Sequence, residues 1–131
     1  MELFDFKKNI SVEDIKFLEK SFCIELPNDY KENILLLNGK SYIYTYILHS
    51  KLGELDFSGF ISLNKEDEYN IYDIYGKVIE SLRYFPFADT DFGDYYCFDL
   101  DKKKIVLWNH EMNKVIQICE SFTKFLKMIQ S

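Results

Sequence analysis

Apolar residues recur along the first part of the chain at helical spacing. Behind Ser11, which with Asp14 makes a capping-box pattern carrying Asp in place of Glu, Ile15, Leu18 and Phe22 predict a helix over residues 12–22. A second helix is predicted to start in Leu26-Pro27-Asn28-Asp29-Tyr30, because proline fits a first turn and Asp29 complements the helix dipole there. Tyr30, Ile34 and Leu37 would be its buried stripe, and Asn38-Gly39 its left-handed stop. The pattern then changes period. Residues 42–48, YIYTYIL, are β-branched or aromatic almost throughout and predict a strand, and residues 57–63 predict another, with Gly59 marking a turn or bulge. Ile71, Ile74, Tyr75, Val78 and Leu82 return to helical spacing and predict a third helix over residues 68–82 despite Gly76.

The stretch that organises the rest is FPFADTDFGDYYCFDLDKKKIVLW, residues 85–108. Gly93 permits a sharp turn after Pro86 to Thr90. Tyr96, Phe98 and Leu100 then fall on one face of a period-2 strand and Tyr95, Cys97 and Asp99 on the other. A polar turn from Asp101 to Lys103 leads into the strand that ends at Trp108. Residues 114–119 give a further strand of this meander, and Ser121 caps a closing helix striped by Phe122, Phe125, Leu126 and Ile129. Helices segregated from a mostly antiparallel sheet make the fold class α+β.

Composition narrows the function. A length of 131 residues suits one domain, 1–131, and 47% hydrophobic content is well above that of disordered chains. Sixteen basic against 22 acidic residues leave a net charge of −6, which argues against a nucleic-acid or anionic-membrane partner and suits a basic protein partner. Cys23, Cys97 and Cys119 form neither a disulfide framework nor a CxxC metal pattern, so reduced thiols and a cytoplasmic location are expected. No apolar run approaches the ~20 residues a membrane helix requires, and the N-terminus lacks a signal-peptide pattern.

Candidate chemistry is concentrated in the central hairpin. Asp89, Asp91, Asp94, Asp99 and Asp101 lie between Tyr84 and Asp101 without a lysine or arginine among them. Two readings stay open: Asp89, Asp91 and Asp94 around Phe92 form an acidic contact patch, or they are turn residues that cap backbone N–H groups. Glu66, Asp67 and Glu68 add a second acidic cluster, read either as contact surface or as a solvated loop. Tyr42, Tyr44 and Tyr46 share one face of a regular strand, which suits cross-strand packing or an aromatic anchor for a partner. Trp108 is read as core.

No metal or other cofactor is expected. The run beginning at Asp89 resembles a calcium loop only superficially, because Gly93 precedes Asp94 and its twelfth residue is Leu100. Catalysis is not expected either. Neither His49 nor His110 stands in a recognisable catalytic motif, and Cys97 and Cys119 sit within strands, away from the helix N-termini that activate thiolates.

Three separated segments together resemble one family. LPNDYKENILLLNGK (residues 26–40), FPFADTDFGDYYCFDL (85–100) and SFTKFLKMI (121–129) are similar, in order and spacing, to motifs of the SUKH superfamily, which holds Smi/Knr-type cell-wall-assembly regulators and many bacterial immunity proteins. Lys40 and Phe92 depart from the glycines usual there, while Gly39 and Gly93 are kept. The resemblance implies a non-enzymatic binding module that neutralises a cognate toxin domain, a nuclease with a cationic cleft, by direct protein contact. It also implies that Asp89, Gly93, Asp94 and Asp99 are largely structural. A regulatory scaffold without a toxin partner is the alternative the same family offers, and an unrecognised enzyme is a third.

Overall fold

The structure, a computed structural model, describes the backbone of residues 2–4 and residues 9–131. Helix α1 spans Val12–Phe22 and is entered through the full capping box: Ser11 Oγ accepts from Asp14 N, and Asp14 accepts from Ser11 N at 2.8 Å. Helix α2 spans Asn28–Leu37, and α3 spans Phe122–Met128 behind the Ser121 cap. Asp29 ties the last two together. One carboxylate oxygen accepts from Tyr30 N at 2.9 Å, and the other takes Thr123 N and Thr123 Oγ1 at 2.9 and 3.0 Å, so this residue satisfies N–H groups at the starts of both helices.

Strands β1 (Glu2–Phe4), β2 (Ser41–Tyr42), β5 (Gly59–Phe60), β6 (Tyr84–Asp89), β7 (Tyr95–Asp99), β8 (Lys104–Asn109) and β9 (Lys114–Cys119) form one antiparallel sheet in that spatial order. A smaller sheet runs β10-β3-β4, from Ile129–Gln130, Tyr46–His49 and Gly53–Asp56. The α+β class and the β6-β7-β8-β9 meander are as expected. Pro86 lies in a central strand, where its missing N–H is accommodated by a register shift between Pro86 and Ala88.

Every residue of β7 is buried, because both faces of the meander are covered. On one face Phe85, Phe87, Tyr96 and Phe98 meet Tyr30 of α2 and Phe122 and Phe125 of α3. Phe87 stacks on Phe98 at 4.4 Å between ring centroids, and Phe125 stands edge-on to it at 5.0 Å. On the other face the segment between β5 and β6 packs against Tyr95 and Trp108. Trp108 is core, with its indole N–H donated to Asn113 Oδ1 at 2.8 Å.

Tyr30 carries the one orphan in this core among the described residues: its hydroxyl is buried without a hydrogen-bond partner. Burial also pushes its ionisation far above the ordinary tyrosine value, so the group is a neutral, unsatisfied donor. Tyr30→Phe should therefore stabilise the fold by about 1–2 kcal/mol, read as a higher urea midpoint at unchanged slope. A loss of stability instead would show that the hydroxyl has a partner in solution.

Three predicted elements come out differently. The middle helix is a single 3-10 turn, Ile71–Asp73, with Asn70 Oδ1 accepting from Tyr72 N, and the chain leaves it through Gly76 at φ +77°. Ile74, Tyr75 and Ile79 are buried while Val78 and Leu82 are half exposed, so the apolar spacing serves a series of turns. The expected strand over residues 42–48 is two strands in different sheets, broken at Tyr44, which has φ +55°. Residues 57–63 pair as a strand only at Gly59–Phe60. There a Cβ on Gly59 would stand 2.9 Å from Ser41 Cα, so the glycine permits close approach of β2 and does not mark a bulge.

Candidate functional site

The turn from Thr90 to Asp94 is built by its own side chains. Thr90 Oγ1 accepts from Phe92 N and Asp94 N at 3.3 and 3.1 Å and donates to Asp94 O at 3.1 Å, while Gly93 takes φ +86°. This closes the turn around Thr90 and turns Phe92 outward, 69% exposed. Asp94 clips one flank: its Oδ1 accepts from His110 N at 3.1 Å and lies 2.7 Å from His110 Nδ1. Asp56 clips the other, accepting from Asp91 N at 2.6 Å, and Ser58 Oγ donates to Asp91 at 2.6 Å.

On the Asp56 side lies an open hollow of about 760 Å³. Its walls include Tyr42, Tyr44 and Tyr46, and Asp56, Asp89 and Asp91 reach it from three separate elements. Tyr44 is 85% exposed at its rim. Burial, opposed by a hydrogen bond from Tyr69 and reinforced by the like charges of Asp91 and Asp56, raises Asp89 to about 6. Tyr69, whose hydroxyl is 3.5 Å from that of Tyr95, is itself pushed up, first by burial and then by Asp89. The loop carrying Glu66, Asp67 and Glu68 lies against α1, where Lys65 stands 4.8 Å over the Phe17 ring.

Asp89 acts on the pH dependence of folding. Its folded value is raised above the unfolded carboxylate value of about 3.9, so the folded state holds this proton longer, and stability falls as pH rises from about 4 through 6. Asp89→Asn should match wild type near pH 4 and be more stable at pH 7 by about 1–3 kcal/mol. Denaturant unfolding at the two pH values checks this, and equal stabilities at pH 7 would refute it.

The residues singled out in the sequence are thus sorted by depth. Asp91, Phe92, Glu66, Glu68 and Tyr44 are exposed, Asp89 and Asp94 are half buried, and Asp67 is 8% exposed with its carboxylate accepting from the Ser62 hydroxyl. Asp99 is structural. Only 3% exposed, it accepts two hydrogen bonds from Arg83 at 2.9 Å and two from the backbone of Asp101 and Lys102 at 3.1 Å. Burial works against its charge, but these bonds prevail and hold its carboxyl below the usual range. Asp56 and Tyr69 were not anticipated. Asp56 sits in a stretch without strand alternation, and its contacts cross 35 and 40 residues of chain.

The histidines and thiols have local roles. His49 Nδ1 accepts from Lys51 N and Leu52 N at 3.1 and 3.0 Å, which leaves Nε2–H to donate to Ile118 O at 3.1 Å, so this ring closes the β3-β4 turn and pins it to β9. The His110 ring lies over Gly93, where a Cβ would come within 3.5 Å of Nδ1. Burial pushes the Cys97 and Cys119 thiols up, opposite to an activated nucleophile. Among the described residues no group of His, Cys, Asp or Glu is placed to hold a metal ion, and no helix is long and apolar enough to cross a membrane.

The family model described as SMI1 / KNR4 family (SUKH-1) matches residues 9–128, nearly the whole chain. The chain belongs to this family. No curated protein and no solved structure matches it. In this SUKH domain the three recognised segments fall on α2, on the β6-β7 hairpin and on α3, and Asp29, Tyr30, Phe87, Phe98 and Phe122 of those segments meet in the aromatic core or at its helix starts. The family includes toxin-immunity proteins as well as regulators.

Proposed function

We propose that this SUKH domain is a cytoplasmic immunity protein that binds a cognate toxin domain, a nuclease, by direct contact through the face made by Tyr44, Asp91, Phe92 and the rim of the hollow, and that it performs no chemistry on its partner. The observation that carries the reading is the mismatch between how the 90–94 turn is held and what it displays. Thr90, Gly93, Asp94 and Asp56 fix the turn, yet it leaves Phe92 and Asp91 exposed, and Tyr44 is exposed on the rim of the hollow that Asp91 also lines. A large exposed aromatic on a rigid turn costs little to order on binding. Glu66 and Glu68 add exposed negative charge elsewhere on the surface. A nuclease cleft built for phosphates is cationic, so an acidic face both steers to it and competes for it.

Co-expression tests this. The proposed toxin partner, sought in the product of the adjacent gene, should be tolerated by cells when the chain is present and should co-purify with it, and co-purification should fail when Asp91, Glu66 and Glu68 are all changed to Lys. Toxin that kills equally in its presence, or binding indifferent to the charge reversal, would refute the reading.

A further inference from the structure

The β6-β7 and β8-β9 hairpins of the meander run in the same direction, so the 90–94 turn and the turn over residues 110–113 emerge at the same end of the sheet. The Asp94–His110 clip joins them. Asp94 Oδ1 accepts from His110 N at 3.1 Å and from Nδ1 of the ring at 2.7 Å, where the imidazole is the donor because a carboxylate only accepts. The second turn is built as the first is: Asn109 Oδ1 accepts from Met112 N at 3.0 Å, and Asn113, at φ +51°, accepts the Trp108 indole N–H at 2.8 Å. It too displays one large apolar side chain. Met112 is 61% exposed and stands two residues from His110, as Phe92 stands two residues from Asp94. Charge is balanced around it, since Glu111 and Lys114 are both exposed and opposite in sign.

We propose that the contact with the protein partner crosses the Asp94–His110 clip and takes Met112 as a second apolar anchor beside Phe92, with His110 as the residue that positions the second turn against the first. The inference rests on the docking reading above and specifies what the partner presents on this flank: an apolar surface with little charge of its own, in contrast to the basic groups that face Asp91. Continuity carries it. A partner that buries Phe92 reaches the 110–113 turn next, because Asp94 and His110 touch between the two, and the apolar side chain exposed on that turn is Met112. Both turns are ordered before binding, so covering them costs little conformational freedom. The unbranched, polarisable methionine side chain adapts to an irregular apolar surface. A second copy of this chain is a poorer occupant, since two chains of net charge −6 repel one another.

The proposed toxin partner is titrated calorimetrically into the full chain at about 50 and about 500 mM salt. Met112→Ala and Met112→Gln should each weaken binding about fivefold at both salt concentrations and at an unchanged urea midpoint, whereas the loss in Asp91→Lys should shrink at the higher one. His110→Ala should weaken binding by a similar factor yet add nothing once Met112 is already Ala. His110→Asn, whose amide N–H can donate to Asp94 in place of Nδ1, should recover most of that affinity. Affinity indifferent to both Met112 variants, or a His110→Ala loss that adds in full to that of Met112→Ala, would overturn the proposal. So would self-association of the chain alone that Met112→Ala abolishes, which would give the patch to a second copy. Binding that falls in Phe92→Ala and Asp91→Lys but not in the Met112 variants would leave the docking reading standing and remove the second anchor alone, and absence of binding by the unaltered chain would remove both.

Discussion

Phe92→Ala should weaken partner binding by about 2 kcal/mol, roughly a factor of 30, without altering the unfolding midpoint. The two halves of this expectation have separate causes. The turn does not depend on the ring: Thr90 Oγ1 and the left-handed Gly93 hold its backbone, and the ring is 69% exposed. Its removal therefore costs the isolated fold almost nothing. A partner that covers it desolvates a whole aromatic side chain on an already ordered loop, the arrangement in which single truncations are most expensive. Isothermal titration with the toxin domain, paired with a urea melt, reads both halves. Unchanged affinity would place the interface elsewhere, and a lowered midpoint would assign the ring to folding.

Phe87→Ala should be the opposite case, costing about 3–5 kcal/mol of stability. Phe87 is fully buried and stacks on Phe98 at 4.4 Å, with Phe125, Phe122 and Tyr30 at 5.0, 5.5 and 6.2 Å, so its neighbours come from α2, β7 and α3 together. Rings held by three elements cannot collapse into the space left behind, and a domain of this size has only about 5–15 kcal/mol in total. The urea midpoint should fall steeply at an unchanged slope. A loss below about 1 kcal/mol would mean that the core repacks freely, contrary to the interlocked ring geometry.

The fold was most legible where a signal and its effect lie close together in sequence. Ser11 and Asp14 announce α1 because both halves of a capping box sit within one turn, and Ser121 does the same for α3. The meander was legible because strands joined by short turns keep their alternation next to their partners. The third helix was misjudged because Gly76 and the Asn70 cap divert the backbone while leaving the apolar spacing intact. Nothing local announces that Tyr44 takes a positive φ, or that the His49 ring will close the turn from Lys51 to Leu52 and create the β3-β4 hairpin.

The site divides in the same way. Phe92 and Asp91 could be read from a turn rich in Asp and Gly, because a turn exposes what it does not use. Asp67 could not be told from Glu66 and Glu68, since only the folded chain brings Ser62 beneath it. Asp89 and Asp94 also look alike in sequence, yet one is bonded to Tyr69 and the other braces His110. The contribution of Asp56 depends on contacts across the whole middle of the chain.

Amide hydrogen exchange on the chain alone and in complex with the proposed toxin partner tests the central claim most directly. Protection on binding should appear in residues 41–46, 56–58 and 89–94 and extend into 66–69. Protection confined to the outer faces of α1 and α2, with these segments unchanged, would contradict it.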